Sequence, residues 1–159
     1  MEDIFIKEMR RLNCLIGETD SVYHEAAVKL GVSDSTMQIL YTICMTGENY
    51  CQLSEIARLT GSSRQTIHSS VRKLEQEGVV CLKAKNGRDK IVYLTEYGKK
   101  IVEKTALRMI EIENDIFATW TIQDRQEYLR LTQKYLIDLK KRVDRIEKVK
   151  NICNKEQGG

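Results

Sequence analysis

Two short amphipathic segments meet at Gly61, and a basic hairpin follows them almost at once. Few folds accommodate that order. In Leu53 to Gly61 the apolar positions Leu53, Ile56 and Ala57 fall at helical spacing, and Ala57 is small enough to let a second helix cross closely. Gly61 supplies the tight turn. Ser62 and Gln65 then fit a capping box, which satisfies orphan amides at a helix start. In the helix that follows, Ile67, Val71 and Leu74 recur at steps of four and three as one buried stripe, so Arg64, Gln65, His68, Ser69 and Arg72 face the other way.

The hairpin extends the pattern. Gly78 ends the helix, Val79 to Leu82 is strand-like, Asn86-Gly87 is a strong two-residue turn signal, and Ile91 to Leu94 returns as the second strand. Lys83, Lys85, Arg88 and Lys90 cluster around that turn. From Ser62 to Lys90 there are seven Lys/Arg against three acids, a local net of +4 in a chain whose total is +3. Positive charge is therefore focused, as expected of a surface that meets phosphates. Arg64, Gln65, His68 and Arg72 suit base edges or adjacent phosphates in a major groove, and Ser62, Ser63, Thr66 and Ser69 suit the fixing of register. Lys85, Arg88 and Lys90 would grip through the hairpin. The competing readings are an ordinary solvated helix face and a module whose basic face meets an acidic protein.

The absence of proline and the presence of only nine glycines in 159 residues leave helices uninterrupted, so the expected fold is mostly α with a small β wing. The expected division is an N-terminal dimerisation helix (1–32), a winged helix-turn-helix DNA-binding region (33–95), C-terminal dimerisation helices (96–155) and a flexible tail (156–159). From Ile4 to Leu30 the residues Phe5, Met9, Leu12, Ile16, Thr19, Tyr23, Ala26 and Leu30 form a heptad-like stripe. Ser33 caps a second helix bearing Met37, Leu40, Tyr41 and Cys44, and Asn49 to Gln52 offers a third strand beside the hairpin. Thr95 caps a long helix expected to run unbroken through Thr105 to about Trp120, and Thr121 caps the last, with Leu129, Thr132, Leu136, Leu139, Val143 and Ile146 as a second stripe. Trp120 is expected where those last two helices meet. Stripes at both ends call for self-association, and an intramolecular bundle is the alternative.

The start, Met1-Glu2-Asp3-Ile4, lacks a signal-peptide pattern, and no apolar run approaches the roughly 20 residues that span a bilayer, so a cytoplasmic protein with no membrane partner is expected. Five cysteines (14, 44, 51, 81, 153) without a Cys-x-x-Cys pair argue against a disulfide framework or a zinc site, and His24 and His68 are too isolated to suggest a metal. No nucleophile, paired acid or phosphate-cradling loop is evident, so neither an enzyme nor a bound cofactor is expected.

Ile56 to Ile67, then Lys73 to Val80, resemble the winged-helix core of MarR-type transcriptional regulators. Asn86 to Lys90 is similar to that family's wing tip, and Leu94 to Gly98 to its strand-to-helix joint. The sequence departs from the family pattern at Asn86, where an acid is usual, and at Thr60, where a leucine is usual. The resemblance implies a homodimer with intertwined terminal helices, recognition helices in successive major grooves of a pseudo-palindromic duplex operator, and Arg88 as the wing-tip arginine in a minor groove. It also implies a regulator, more often a repressor, released from DNA by a small aromatic ligand in the crevice between head and dimer helices. Tyr23, His24, Met37 and Tyr41 are the candidate lining residues. A peroxide-sensing branch keeps a reactive cysteine in its first helix, which makes a thiol-based redox regulator an alternative. Counted back from Leu30-Gly31-Val32-Ser33, however, Met9 lies nearer that place than Cys14.

Overall fold

The computed structural model describes residues 3–84 and 90–146. Seven helices and three strands follow in the order α1 (Ile4–Lys29), α2 (Asp34–Met45), β1 (Tyr50–Gln52), α3 (Leu53–Thr60), α4 (Arg64–Gln76), β2 (Val80–Ala84), β3 (Lys90–Leu94), α5 (Glu96–Lys104), α6 (Ala106–Thr119) and α7 (Ile122–Val143). The described residues fall into two units, one running to Asn114 and one starting at Asp115.

In the first unit, Asp3 caps α1 by accepting from the Phe5 amide at 3.0 Å, and Ser33 caps α2 by accepting from Thr36 at 3.2 Å. Gly31, at φ +73°, stops α1 in the left-handed conformation that only glycine adopts cheaply. The strands form one antiparallel sheet in the order β1-β3-β2, with Tyr50 opposite Tyr93 and Leu82 opposite Val92. Ile39, Leu40, Ile43, Ile56, Ile67 and Val92 are wholly removed from solvent or nearly so, at 0–1% exposure. Each contributes about 1.5–3 kcal/mol by that burial. The buried face of α2 is thus wider than the one-sided stripe expected, because α3, α4 and β1 all pack against it.

One expectation is corrected here. The long helix after Thr95 breaks at Thr105, whose backbone (φ −127°, ψ −90°) leaves the helical region and separates α5 from α6. The Thr105 hydroxyl donates to the Ile101 carbonyl at 2.7 Å, a back-bond that bends helices, and the residue is buried.

The start of α5 is fixed by contact with the sheet. Thr95 caps it by accepting from the Gly98 amide at 2.9 Å, and the same hydroxyl donates to the Gly78 carbonyl at 2.6 Å. Gly98 lies so close to the chain after α4 that a Cβ there would stand 2.0 Å from the Val79 carbonyl oxygen.

In the second unit, Thr121 caps α7, Phe117 stacks on Trp120 with centroids 5.1 Å apart, and Tyr128 meets the Trp120 ring edge-on at 5.4 Å. Trp120 therefore packs at the α6–α7 corner, where Arg125 donates to the Phe117 carbonyl at 2.9 Å. No residue of α7 is buried, and Leu129 and Val143 stand 58% and 51% exposed. On α1 the stripe from Phe5 to Tyr23 is likewise exposed, and only Ala27 is buried. Among the described residues no helix is long and apolar enough to cross a membrane.

Candidate nucleic-acid interface and the adjoining cleft

The turn between α3 and α4 is built by hydroxyls. Gly61 takes φ +66°, and the Thr60 side chain donates to the Ile56 carbonyl at 2.9 Å while accepting from the Ser62 amide at 3.3 Å. The threonine at this departure from the usual pattern thus braces the turn by hydrogen bonds. The N-cap of α4 is Ser63 rather than Ser62: its hydroxyl accepts from the Thr66 amide at 3.1 Å and pairs with the Thr66 hydroxyl at 2.8 Å. The capping box expected at Ser62 and Gln65 is one residue out of register, and Gln65 is left exposed on the first turn.

Ile67, Val71 and Leu74 turn inward, and Arg64, Gln65, His68, Ser69 and Arg72 turn outward. Neither Arg64 nor Arg72 forms an ion pair among the described residues. Two cations and several hydrogen-bonding side chains therefore project from a helix whose positive dipole end adds to them. Arg64, His68 and Lys90 share one groove of about 330 Å³, which brings the wing stem to the first turn of α4. Glu75 accepts from the Leu82 amide at 3.1 Å, tying the far end of α4 to β2, and the Lys83 ammonium lies 4.9 Å above the Tyr93 ring. Lys85 and Arg88 fall outside the described residues.

A cleft of about 780 Å³ opens on another side of the first unit, and Tyr23, His24, Met37 and Tyr41 all line it. Glu113 of α6 is its centre: the carboxylate accepts from the Tyr23 hydroxyl at 2.7 Å and, on its other oxygen, from the Tyr41 hydroxyl. Burial first, and the Glu113 carboxylate second, push the Tyr41 phenol well above its ordinary value, so it remains a donor at neutral pH. His24 Nδ1 contacts Asp34 at 2.9 Å across the α1–α2 corner. Burial raises the Cys44 thiol to about 11, which keeps it protonated, while Cys14 lies exposed on α1.

Residues 30–90 match the family model described as MarR family. This segment is a MarR-type winged helix. Solved MarR structures share the architecture beyond it. The Rhodococcus sp. RHA1 regulator superposes with a TM-score of 0.64 at 18% identity, covering 85% of this chain and 96% of that one. AbsC of Streptomyces coelicolor gives 0.71 at 13%, covering 88% and 97%. MepR of S. aureus, solved as a DNA complex, gives 0.65 at 16%, covering 82% and 96%. No curated protein sequence matches the chain.

Within this MarR-type fold, the cleft residues that sequence reasoning missed include Glu113, Asp34, Asp20, Met45 and Met109. Tyr23 and Tyr41 reach Glu113 across 90 and 72 residues of chain, and no local pattern marks such a pairing.

Proposed function

We propose that this chain is a transcriptional regulator of the MarR type, a homodimer that binds a pseudo-palindromic duplex operator in the cytoplasm, acting as a repressor that a small aromatic ligand in the cleft releases. The observation that carries the reading is the α4 face, where Arg64 and Arg72 have no acidic partner among the described residues and stand beside Gln65 and His68. Such a face suits base edges and phosphates of a major groove. Ser62, Ser63, Thr66 and Ser69 are assigned to register, and Lys85, Arg88 and Lys90 to the wing's grip on the backbone and minor groove. The solved MepR–DNA complex supports a fold of this kind docking on duplex DNA. The exposed stripes of α1 and α7 support pairing of two copies, and a two-fold pair would set recognition helices about 34 Å apart.

Selection of bound fragments from random duplex DNA tests this directly, with a recovered palindrome expected. On that sequence, Arg64→Ala or Gln65→Ala costs about 1–3 kcal/mol and relaxes base preference, whereas Lys90→Ala weakens all sequences alike and flattens the salt dependence. Equal losses on selected and random DNA for all three changes would sink these roles.

A further inference from the structure

The cleft is acidic and has a soft, aromatic lining. Asp20, Asp34 and Glu113 face it; among the described residues no lysine or arginine lines it, and the one basic side chain there, His24, is already engaged by Asp34. Glu113 accepts one hydrogen from each of two phenols, which leaves lone-pair capacity on a carboxylate that can take about four hydrogen bonds. Tyr23 and Tyr41 add electron-rich rings, and Met37, Met45 and Met109 add polarizable, deformable walls. An aromatic acid would bring its anion against these carboxylates. A cation would meet complementary charge, ring faces and sulfur.

We propose that the cleft binds an amphipathic organic cation, an aromatic body bearing an ammonium or a similarly delocalised positive group, with its charge set against Glu113 between Tyr23 and Tyr41. The regulatory consequence rests on the DNA-binding function proposed above, whereas the binding itself does not. Glu113 joins α6 to α1 through Tyr23 and to α2 through Tyr41. A bound cation draws the carboxylate from its phenols and loosens that three-helix tie, which is the route from cleft to DNA.

Calorimetry with tetraphenylphosphonium and tetraphenylborate separates charge from shape, since the two ions are alike in form and opposite in sign. The chain carries net +3, so non-specific attraction favours the borate. The expected result is one phosphonium per chain, with the borate about tenfold weaker or undetectable. Glu113→Gln retains an acceptor oxygen for the phenols but removes the charge, and it should weaken the phosphonium by about tenfold. Should that variant fail to fold by circular dichroism, Asp20→Asn replaces it, with a several-fold loss expected. Equal binding of the two ions, a preference for the borate, no binding of either, or an unchanged phosphonium affinity in the folded variant would each overturn the proposal. A chain that binds the phosphonium but no duplex DNA would support the cation site and overturn the regulator reading, so the two failures are distinguishable.

Discussion

Gly98 shows how a single residue can be fixed by its neighbour's backbone. Its helical position would ordinarily favour alanine, yet a Cβ would meet the Val79 carbonyl at 2.0 Å, and a backbone atom cannot swing aside as a side-chain tip can. The Val79 oxygen is itself held, accepting from the Thr95 amide at 3.1 Å. Gly98→Ala should therefore destabilise the fold by about 3 kcal/mol rather than stabilise it. Urea titration measures this as a lower midpoint at unchanged slope, and a loss below about 1 kcal/mol would show that the joint gives way easily. Sequence suggested a joint at Thr95 but not the close approach at Gly98, because the approach depends on where the chain leaves α4. Glu113 was hidden for a similar reason. A glutamate on a helix has a solvated face as its ordinary reading, and only the tertiary arrangement delivers two phenols to it.

At the scale of elements, what the sequence revealed well was periodicity, and what it revealed poorly was phase. The inward stripe of α4 follows from Ile67, Val71 and Leu74 alone, but two adjacent serines compete for its cap, and the turn hydroxyl of Thr60 decides for Ser63 by engaging the Ser62 amide. By periodicity alone Thr105 is one more position on a continuous stripe. Its hydroxyl and buried site instead divide the helix, and neither glycine nor proline is present to announce the break. The cap is open to test: Ser63→Ala should cost about 1 kcal/mol and fray the first turn of α4, seen as faster amide exchange at Thr66 while Leu74 stays protected. Unaltered exchange at Thr66 would mean that the cap adds little. Since Arg64 and Gln65 sit on that turn, the same variant should weaken the proposed DNA binding both by loosening the turn and by removing the Ser63 hydroxyl assigned to register.

The whole molecule keeps its buried apolar cluster between Ala27 and Met109, while most of α1 and all of α7 remain outside it. These outer helices were legible as long stripes, and in the single chain their apolar residues stand exposed. What sequence could not supply is the geometry of their cover, which under the proposed pairing of two copies belongs to the assembly rather than to the chain. The confinement of the core has a thermal consequence. A calorimetric trace should contain two events: an earlier one, set by loss of the outer helices' partner, that moves to higher temperature as protein concentration rises, and a later one from the sealed core that does not move. A single event independent of concentration would mean that the core and the outer helices melt together without a partner. If two events are found, heads separated from their partners persist as folded bodies at high dilution, and copies mixed from two preparations should exchange partners faster than they unfold.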